Sequence, residues 1–156
     1  MVTRDRSQPK IVVYNTQRDF PIDKKLIQGT VSFLLEKLGV STDEIIIHFT
    51  TEKKISQIHA DFFNDPTSTD CITFPIDLPE KKVGMHHVLG ECFICPKVAL
   101  AYASKYKIPP LHEVLRYVIH CLLHLIGYDD LTPKERTQMK RKERQCLKML
   151  AEILED

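Results

Sequence analysis

No stretch of this 156-residue chain comes near the roughly 20 consecutive apolar residues that a bilayer-crossing helix needs. An N-terminal apolar segment of signal length is missing too, and five cysteines cannot all pair. Together these lead us to expect a reducing, cytoplasmic setting, with no membrane association and no disulfide partner. An excess of one charge is also lacking: 22 Lys+Arg face 21 Asp+Glu, a net of +1 with neutral histidines. That balance neither demands nor excludes a nucleic-acid partner, so such a reading must come from local patches. There is no tandem repeat and no low-complexity tract. What is there is ordinary for a globular protein, 43% hydrophobic and 28% charged residues. One domain over residues 1–156, burying roughly two-thirds of its unfolded surface, is the simplest organisation, with the polar residues 1–9 expected to be disordered.

Hydrophobic spacing divides the chain into short strands and longer helices. Ile11 to Tyr14 reads as a strand, and Leu26, Ile27, Val31, Leu34 and Leu35 recur at helical spacing before Gly39. Glu44 to Phe49 is a second strand, whose three consecutive isoleucines predict burial on both faces. Ile55, Ile58, Phe62 and Phe63 outline a helix that ends in the turn-rich segment from Asn64 to Ser68. Cys71 to Phe74 is a third strand broken by Pro75, and Val88 to Ile94 a fourth. Cys95-Pro96 has the form of a cap followed by proline at the first helical position, opening a helix to Lys107. A further helix runs from about Leu111 to Ile126. The last begins at Pro133, with Met139, Leu147, Leu150 and Ile153 as its apolar stripe.

The chemistry gathers in one place. His120 and His124 are four residues apart, and a helix turns about 100° per residue, which leaves the imidazoles about 40° apart on one face. Gly127-Tyr128-Asp129-Asp130 then reverses the chain and brings two carboxylates towards them. Leu111, Val114, Leu115, Val118, Ile119, Leu122 and Leu123 make the same helix broadly apolar, so unpartnered imidazoles there would be costly. Two core histidines bonded to carbonyls are the bland alternative. The added acid after a glycine turn favours a metal site instead. A His-Glu-x-x-His peptidase is disfavoured, because Cys121 stands where the general-base glutamate would be.

Here the sequence resembles the YbeY-type endoribonucleases, also called rRNA maturation factors. Their signature His-Gly-x-Leu-His-Leu-x-Gly-Tyr-Asp-His stands here as the run from His120 to Asp130. A second family stretch, Thr-Asp-Val-Leu-Ser-Phe-Pro, is Thr69 to Pro75, and a third, Leu-Gly-Asp-Ile, is Leu89 to Cys92. Together with a Met139…Glu143 pattern, the likeness spans almost the whole chain in order and spacing. It implies a zincin-like α/β (α+β) fold, a small mixed sheet of four strands with about five helices, and a metal site on the His-x-x-x-His helix. It also implies one Zn2+ per chain and cleavage of single-stranded RNA. The expected role is 16S rRNA 3′-end maturation and ribosome quality control, with the small ribosomal subunit and its assembly factors as partners.

Three departures from that pattern bear on the site. The family's third histidine is Asp130 here; His120, His124 and Asp130 are then the metal ligands, with His120 also assigned to catalysis. A carboxylate removes a unit of charge, lowers the Lewis acidity relative to three neutral imidazoles, and would also suit iron or manganese. Asp129 is placed behind the metal, as support or cap. The family's asparagine and arginine in Leu-Asn-x-x-Phe/Tyr-Arg fall on His59 and Phe63. Phe63 cannot grip a phosphate, though it can stack on an unpaired base. A core position is the alternative for Phe63; His59 is a candidate ligand or base, with a solvated helix position as its alternative. Lys53, Lys54 and Arg116 are candidates for the missing charge, and Asp70 for a substrate contact or a turn cap. Lastly, Cys121 replaces the family glycine, with no catalytic role assigned.

Two smaller patterns complete the reading. Cys92 and Cys95, three apart in a strand, should face opposite ways as buried thiols, while His86-His87 lies in a polar loop. Lys134, Arg136, Lys140, Arg141, Lys142, Arg144 and Lys148 make the last helix either an RNA-facing patch or, with Glu135 and Glu143, an ordinary solvated face. The resulting expectation is a metal-dependent, single-strand-specific endoribonuclease. Its rivals are a non-catalytic rRNA-binding assembly factor with a structural metal, and a metallohydrolase of another substrate.

Overall fold

The computed structural model describes residues 8–65, 69–80 and 84–154. The expectation of disorder at the N-terminus therefore lies, for residues 1–7, outside the described residues, as do Pro66, Thr67 and Ser68 of the expected turn. Four strands form one mixed sheet in the order β1-β2-β4-β3: β1 (Lys10–Asn15), β2 (Glu44–Phe49), β3 (Cys71–Pro75) and β4 (Val88–Ile94). β1 pairs with β2 and β2 with β4 in parallel, while β3 runs antiparallel along the β4 edge. Pro75 ends β3 rather than lying beyond it, which an edge strand tolerates because one side of its ladder is open.

Five helices complete the described chain: α1 (Lys24–Lys37), α2 (Glu52–Phe63), α3 (Pro96–Tyr106), α4 (Pro110–Leu125) and α5 (Pro133–Leu154). The starts follow local chemistry. Asp23 caps α1 by accepting from the Leu26 amide at 3.2 Å, and Thr51 caps α2 by accepting from Lys54 N at 3.1 Å. Pro96 and Pro110 sit in the first turns of α3 and α4, where no amide is missed.

The sheet separates two apolar layers. The larger holds Val31, Leu34, Ile47, Cys92, Val118 and Leu122 among others, and buries α4 against β3 and β4. The smaller, on the other face, joins Ile55 and Ile58 of α2 to Ile72 and Cys95. Cys92 and Cys95 thus face opposite ways, as their spacing predicts. β2 is not buried on both faces: Ile45, Ile47 and Phe49 are fully buried, while Ile46 and His48 are half-covered, because α2 shelters only part of the second face. Two aromatics expected on the α2 core stripe are at the surface, Phe62 at 67% exposure and Phe63 at 54%.

One close approach sets the depth of α4. A Cβ on Gly90 of β4 would collide with Leu125 Cδ2 and lie 2.8 Å from the Phe74 carbonyl oxygen. Only glycine lets the end of α4 settle there.

Candidate metal centre

α4 carries ten buried residues around its circumference, and His120 and His124 are on the one side left open. Their rings stand nearly perpendicular, with centroids 4.5 Å apart. Beyond Leu125 the helix stops in a turn: Tyr128 N donates to Leu123 O at 2.9 Å, and Gly127 adopts φ +110°, a conformation that other residues avoid. That reversal aims Asp130 back at the histidines.

The three donor atoms make a compact triangle. His120 Nε2 and His124 Nε2 are 3.0 Å apart, and Asp130 Oδ2 lies 3.5 Å from each. Tetrahedral zinc with bonds of about 2.1 Å holds its ligands about 3.4 Å apart, so these residues fit one such ion with a fourth position open. They are the one group of three or more metal-ligating side chains among the described residues with all donor atoms within 4.8 Å of one another. Asp129 is outside the group and exposed.

The carboxylate behind the imidazoles comes from α5 instead. Glu143, 4% exposed, places Oε1 2.5 Å from His120 Nδ1. An Nδ1–H donated to that oxygen leaves the Nε2 lone pair pointing at the triangle. Burial pushes the His120 imidazole down, but the hydrogen bond and charge of Glu143 outweigh it, so the net displacement is upward. Glu143 is therefore no part of a solvated face. Met139, Glu143, Cys146 and Leu150 are all buried, at alternating steps of four and three, and this is the inward stripe of α5; Ile153 of the expected stripe is exposed. A glutamate in register with that stripe was the available signal.

Arg116 extends the chain of charges. Its Nη1 is 3.4 Å from Glu143 Oε2, its Nε donates to Glu113 Oε1 at 2.7 Å, and Nη2 also meets Glu113. The guanidinium lies over the rings of Tyr102 and Tyr117, at 5.2 and 5.3 Å. Burial works against its charge, but Glu113 and Glu143 prevail and keep it protonated. Arg116 is thus engaged on the far side of His120 from the donor triangle, and it is an anchor of the histidine's support. Glu113 Oε2 is buried without a hydrogen-bond partner, so the network ends in an unshared acceptor.

The loop bearing Asp130 is pinned from α5. Arg136 Nη1 donates to the carbonyls of Asp130 and Leu131, at 3.3 and 3.1 Å. Thr132 and Glu135 form reciprocal side-chain to backbone bonds, Thr132 N to Glu135 Oε1 at 3.0 Å and Glu135 N to Thr132 Oγ1 at 3.1 Å. The remaining basic residues named for α5 are exposed, except Lys142, which is half-buried.

The other candidate residues are dispersed. Asp70 Oδ1 accepts from Cys71 N at 2.8 Å and from Thr69 Oγ1 at 3.2 Å, as a turn cap does, and its charge also reaches His120. Phe63 is exposed, its ring 5.3 Å from that of His59. His59 is half-buried rather than solvated, its Nδ1 4.0 Å from Asp65 Oδ2. His87 is buried and structural, not available in a loop: Nδ1 is 2.7 Å from Thr42 Oγ1 and Nε2 2.6 Å from the Leu78 carbonyl. Cys121 points away from the donor triangle into the apolar layer beside Cys71 and Cys92, where burial pushes its thiol well up.

Comparison with known proteins adds a lineage. The family model described as Endoribonuclease YbeY matches residues 12–151. A Chlamydia muridarum protein named Endoribonuclease YbeY is 41% identical over 153 residues, covering 97% of this chain and 94% of that one. A Chlamydia felis protein of the same name is 44% identical over 147 residues, covering 92% of each. Among solved structures, a Thermotoga maritima protein determined in solution superposes with a TM-score of 0.61 at 24% identity, covering 88% of this chain and 86% of that one, a likeness of fold.

Proposed function

Since this chain belongs to the endoribonuclease YbeY family, we propose that it is a metal-dependent endoribonuclease that cuts single-stranded RNA. The observation that carries the reading is the donor triangle of His120 Nε2, His124 Nε2 and Asp130 Oδ2, spaced for one tetrahedral ion. These three residues would hold zinc, and a zinc ion there would supply Lewis acidity towards a phosphodiester. Two imidazoles and a carboxylate would also accept iron or manganese. Glu143 keeps the proton of His120 on Nδ1, and Arg116 and Glu113 keep Glu143 in place. Asp130 contributes one negative charge, which tempers the Lewis acidity relative to a three-histidine site. The cellular role we assign is 16S rRNA 3′-end maturation and ribosome quality control in the cytoplasm, with the small subunit and its assembly factors as partners. No described helix is long and apolar enough to cross a membrane.

A second reading has one observation in its favour. Phe63 stands where the family pattern carries an arginine, and Arg116 is already engaged by two carboxylates. A protein without that phosphate grip would bind rRNA and assist assembly without cutting it. A fluorescent single-stranded oligoribonucleotide separates the two. Cleavage is expected, faster than on the duplex, and abolished by chelation and by His120→Ala. Intact oligonucleotide after incubation with protein carrying a full equivalent of zinc would sink the nuclease reading and leave the binding factor ahead.

A further inference from the structure

On the face of the sheet turned away from the donor triangle, rings from successive strands form a row. Tyr14 stacks on His48 with centroids 5.0 Å apart, and His48 on Phe93 at 4.3 Å with planes only 4° apart. Phe74 meets Phe93 edge-on at 5.9 Å, and Phe62 of α2 meets Phe74 at 5.0 Å. Between this row and α2 lies a cavity of about 480 Å³, also lined by Lys54 and Glu91. That size is in the range of small-ligand sites.

The polar groups narrow the choice of occupant. Glu91 Oε1 is 2.5 Å from His48 Nε2, which fixes the carboxylate, while Oε2 has no hydrogen bond among the described residues. A carboxylate oxygen only accepts; it pairs with an amino group and rejects a carbonyl. Lys54, exposed at the rim, forms no ion pair among the described residues and offers a positive charge to a phosphate. Flat apolar walls, an acceptor inside and a cation at the mouth match an unpaired nucleotide.

We propose that this groove holds one unpaired base of the RNA strand, and that the base is one with an exocyclic amine (cytosine, adenine or guanine), its amine on Glu91 and its phosphate near Lys54. The identity of the ligand rests on the RNA reading above; the shape and polarity of the groove do not. Cys92 and Phe93 are neighbours on β4, one packed beneath the metal helix and the other in the groove. Among the described strands, only the five-residue edge strand β3 lies between β4 and the edge of the sheet, where a polynucleotide would cross to occupy both faces. The groove would then select sequence at a distance from the cut.

Binding can be read without turnover. Cytidine 5′-monophosphate and uridine 5′-monophosphate are titrated into isotopically labelled, metal-free protein, and amide shifts are followed by NMR. The cytidine nucleotide should move resonances of β2, β4 and the first turns of α2, with roughly tenfold preference over the uridine nucleotide, the discrimination that one good pairing provides. Glu91→Gln, which can donate to a carbonyl, should bring the two within about twofold. Phe62→Ala, at a ring too exposed to matter for folding, should weaken both. Equal response to the two nucleotides, or shifts elsewhere only, overturns the proposal. So does a groove that ignores nucleotides and takes arginine methyl ester, for it is then a cation site. Nucleotide binding in a protein that cuts no RNA would defeat the nuclease reading and leave this one standing; cleavage with a silent groove would do the reverse.

Discussion

Replacing Glu143 by glutamine removes one charge from behind His120 while keeping the shape of the side chain. The carboxylate is 4% exposed, sits 2.5 Å from Nδ1, and shares its other oxygen with Arg116 at 3.4 Å. In the variant the amide oxygen can still accept from Nδ1–H, so the tautomer survives, but the charge that raises the basicity of Nε2 is gone. Loss of such a support lowers metal affinity by about 10- to 100-fold. Glutamine should fall near the lower end, about 1.4 kcal/mol. Both variants take the acceptor Oε2 from Arg116, but Glu143→Ala also leaves Nδ1 without its acceptor and should fall near the upper end, about 2.8 kcal/mol. The assay is a competition titration of metal-free protein with zinc and a chromophoric chelator, with Glu152→Gln on the exposed side of the same helix as control. A Glu143→Gln protein that binds zinc within twofold of the parent would refute the argument that the second carboxylate tunes the ligand.

Further outcomes follow from the same geometry. Asp130→His restores three neutral imidazoles; cleavage of a single-stranded oligonucleotide should speed up with metal stoichiometry unchanged, and slower cleavage would contradict the charge argument. Gly90→Ala puts a methyl 2.8 Å from the Phe74 carbonyl and onto Leu125, and should cost about 1–3 kcal/mol in urea denaturation; an unchanged midpoint would mean that α4 is not seated there. For metal-free protein the His120 imidazole is held above its ordinary 6.5, so its contribution to stability is complete below that value and is lost as the pH rises through the higher, folded value. Stability should therefore fall more steeply over that rise in the parent than in His120→Gln; parallel pH profiles would contradict it.

Much of this was legible in the chain because the signals were local. A four-residue histidine spacing, a glycine stop and the acid after it specify the donor triangle without reference to the rest of the molecule. β2 and β4 likewise emerge from short apolar runs at their observed limits. Glu143 was hidden for the opposite reason: its neighbours on α5 are mostly charged, and only the partner helix decides which of them turns inward. The alternating steps from Met139 to Leu150 carried that information, once a glutamate is admitted to a core stripe. The setting of Arg116 could not be placed from the sequence, because its two carboxylates lie 3 and 27 positions away. The exposure of Phe62 and Phe63 was out of reach, since periodicity reports which side of α2 could be apolar, not how much sheet lies beneath it.

The three proposed ligands do not belong to equally rigid parts of the protein, and this bears on how fast an ion would come and go. His120 and His124 are fixed on one turn of a buried helix, so two-thirds of the donor set is assembled in advance. Asp130 sits on a tether between Gly127 and Thr132, its side chain 38% exposed. A ligand on a short tether acts at a high effective concentration, and swinging it away is the easiest way to open the site. Arrival is then governed by the helix and residence time by the loop. Arg136, exposed and far from any coordination role, holds two carbonyls of that loop. In the proposed metal-bound protein, the dwell time of the ion would thereby be entrusted to a surface arginine that touches no ligand atom.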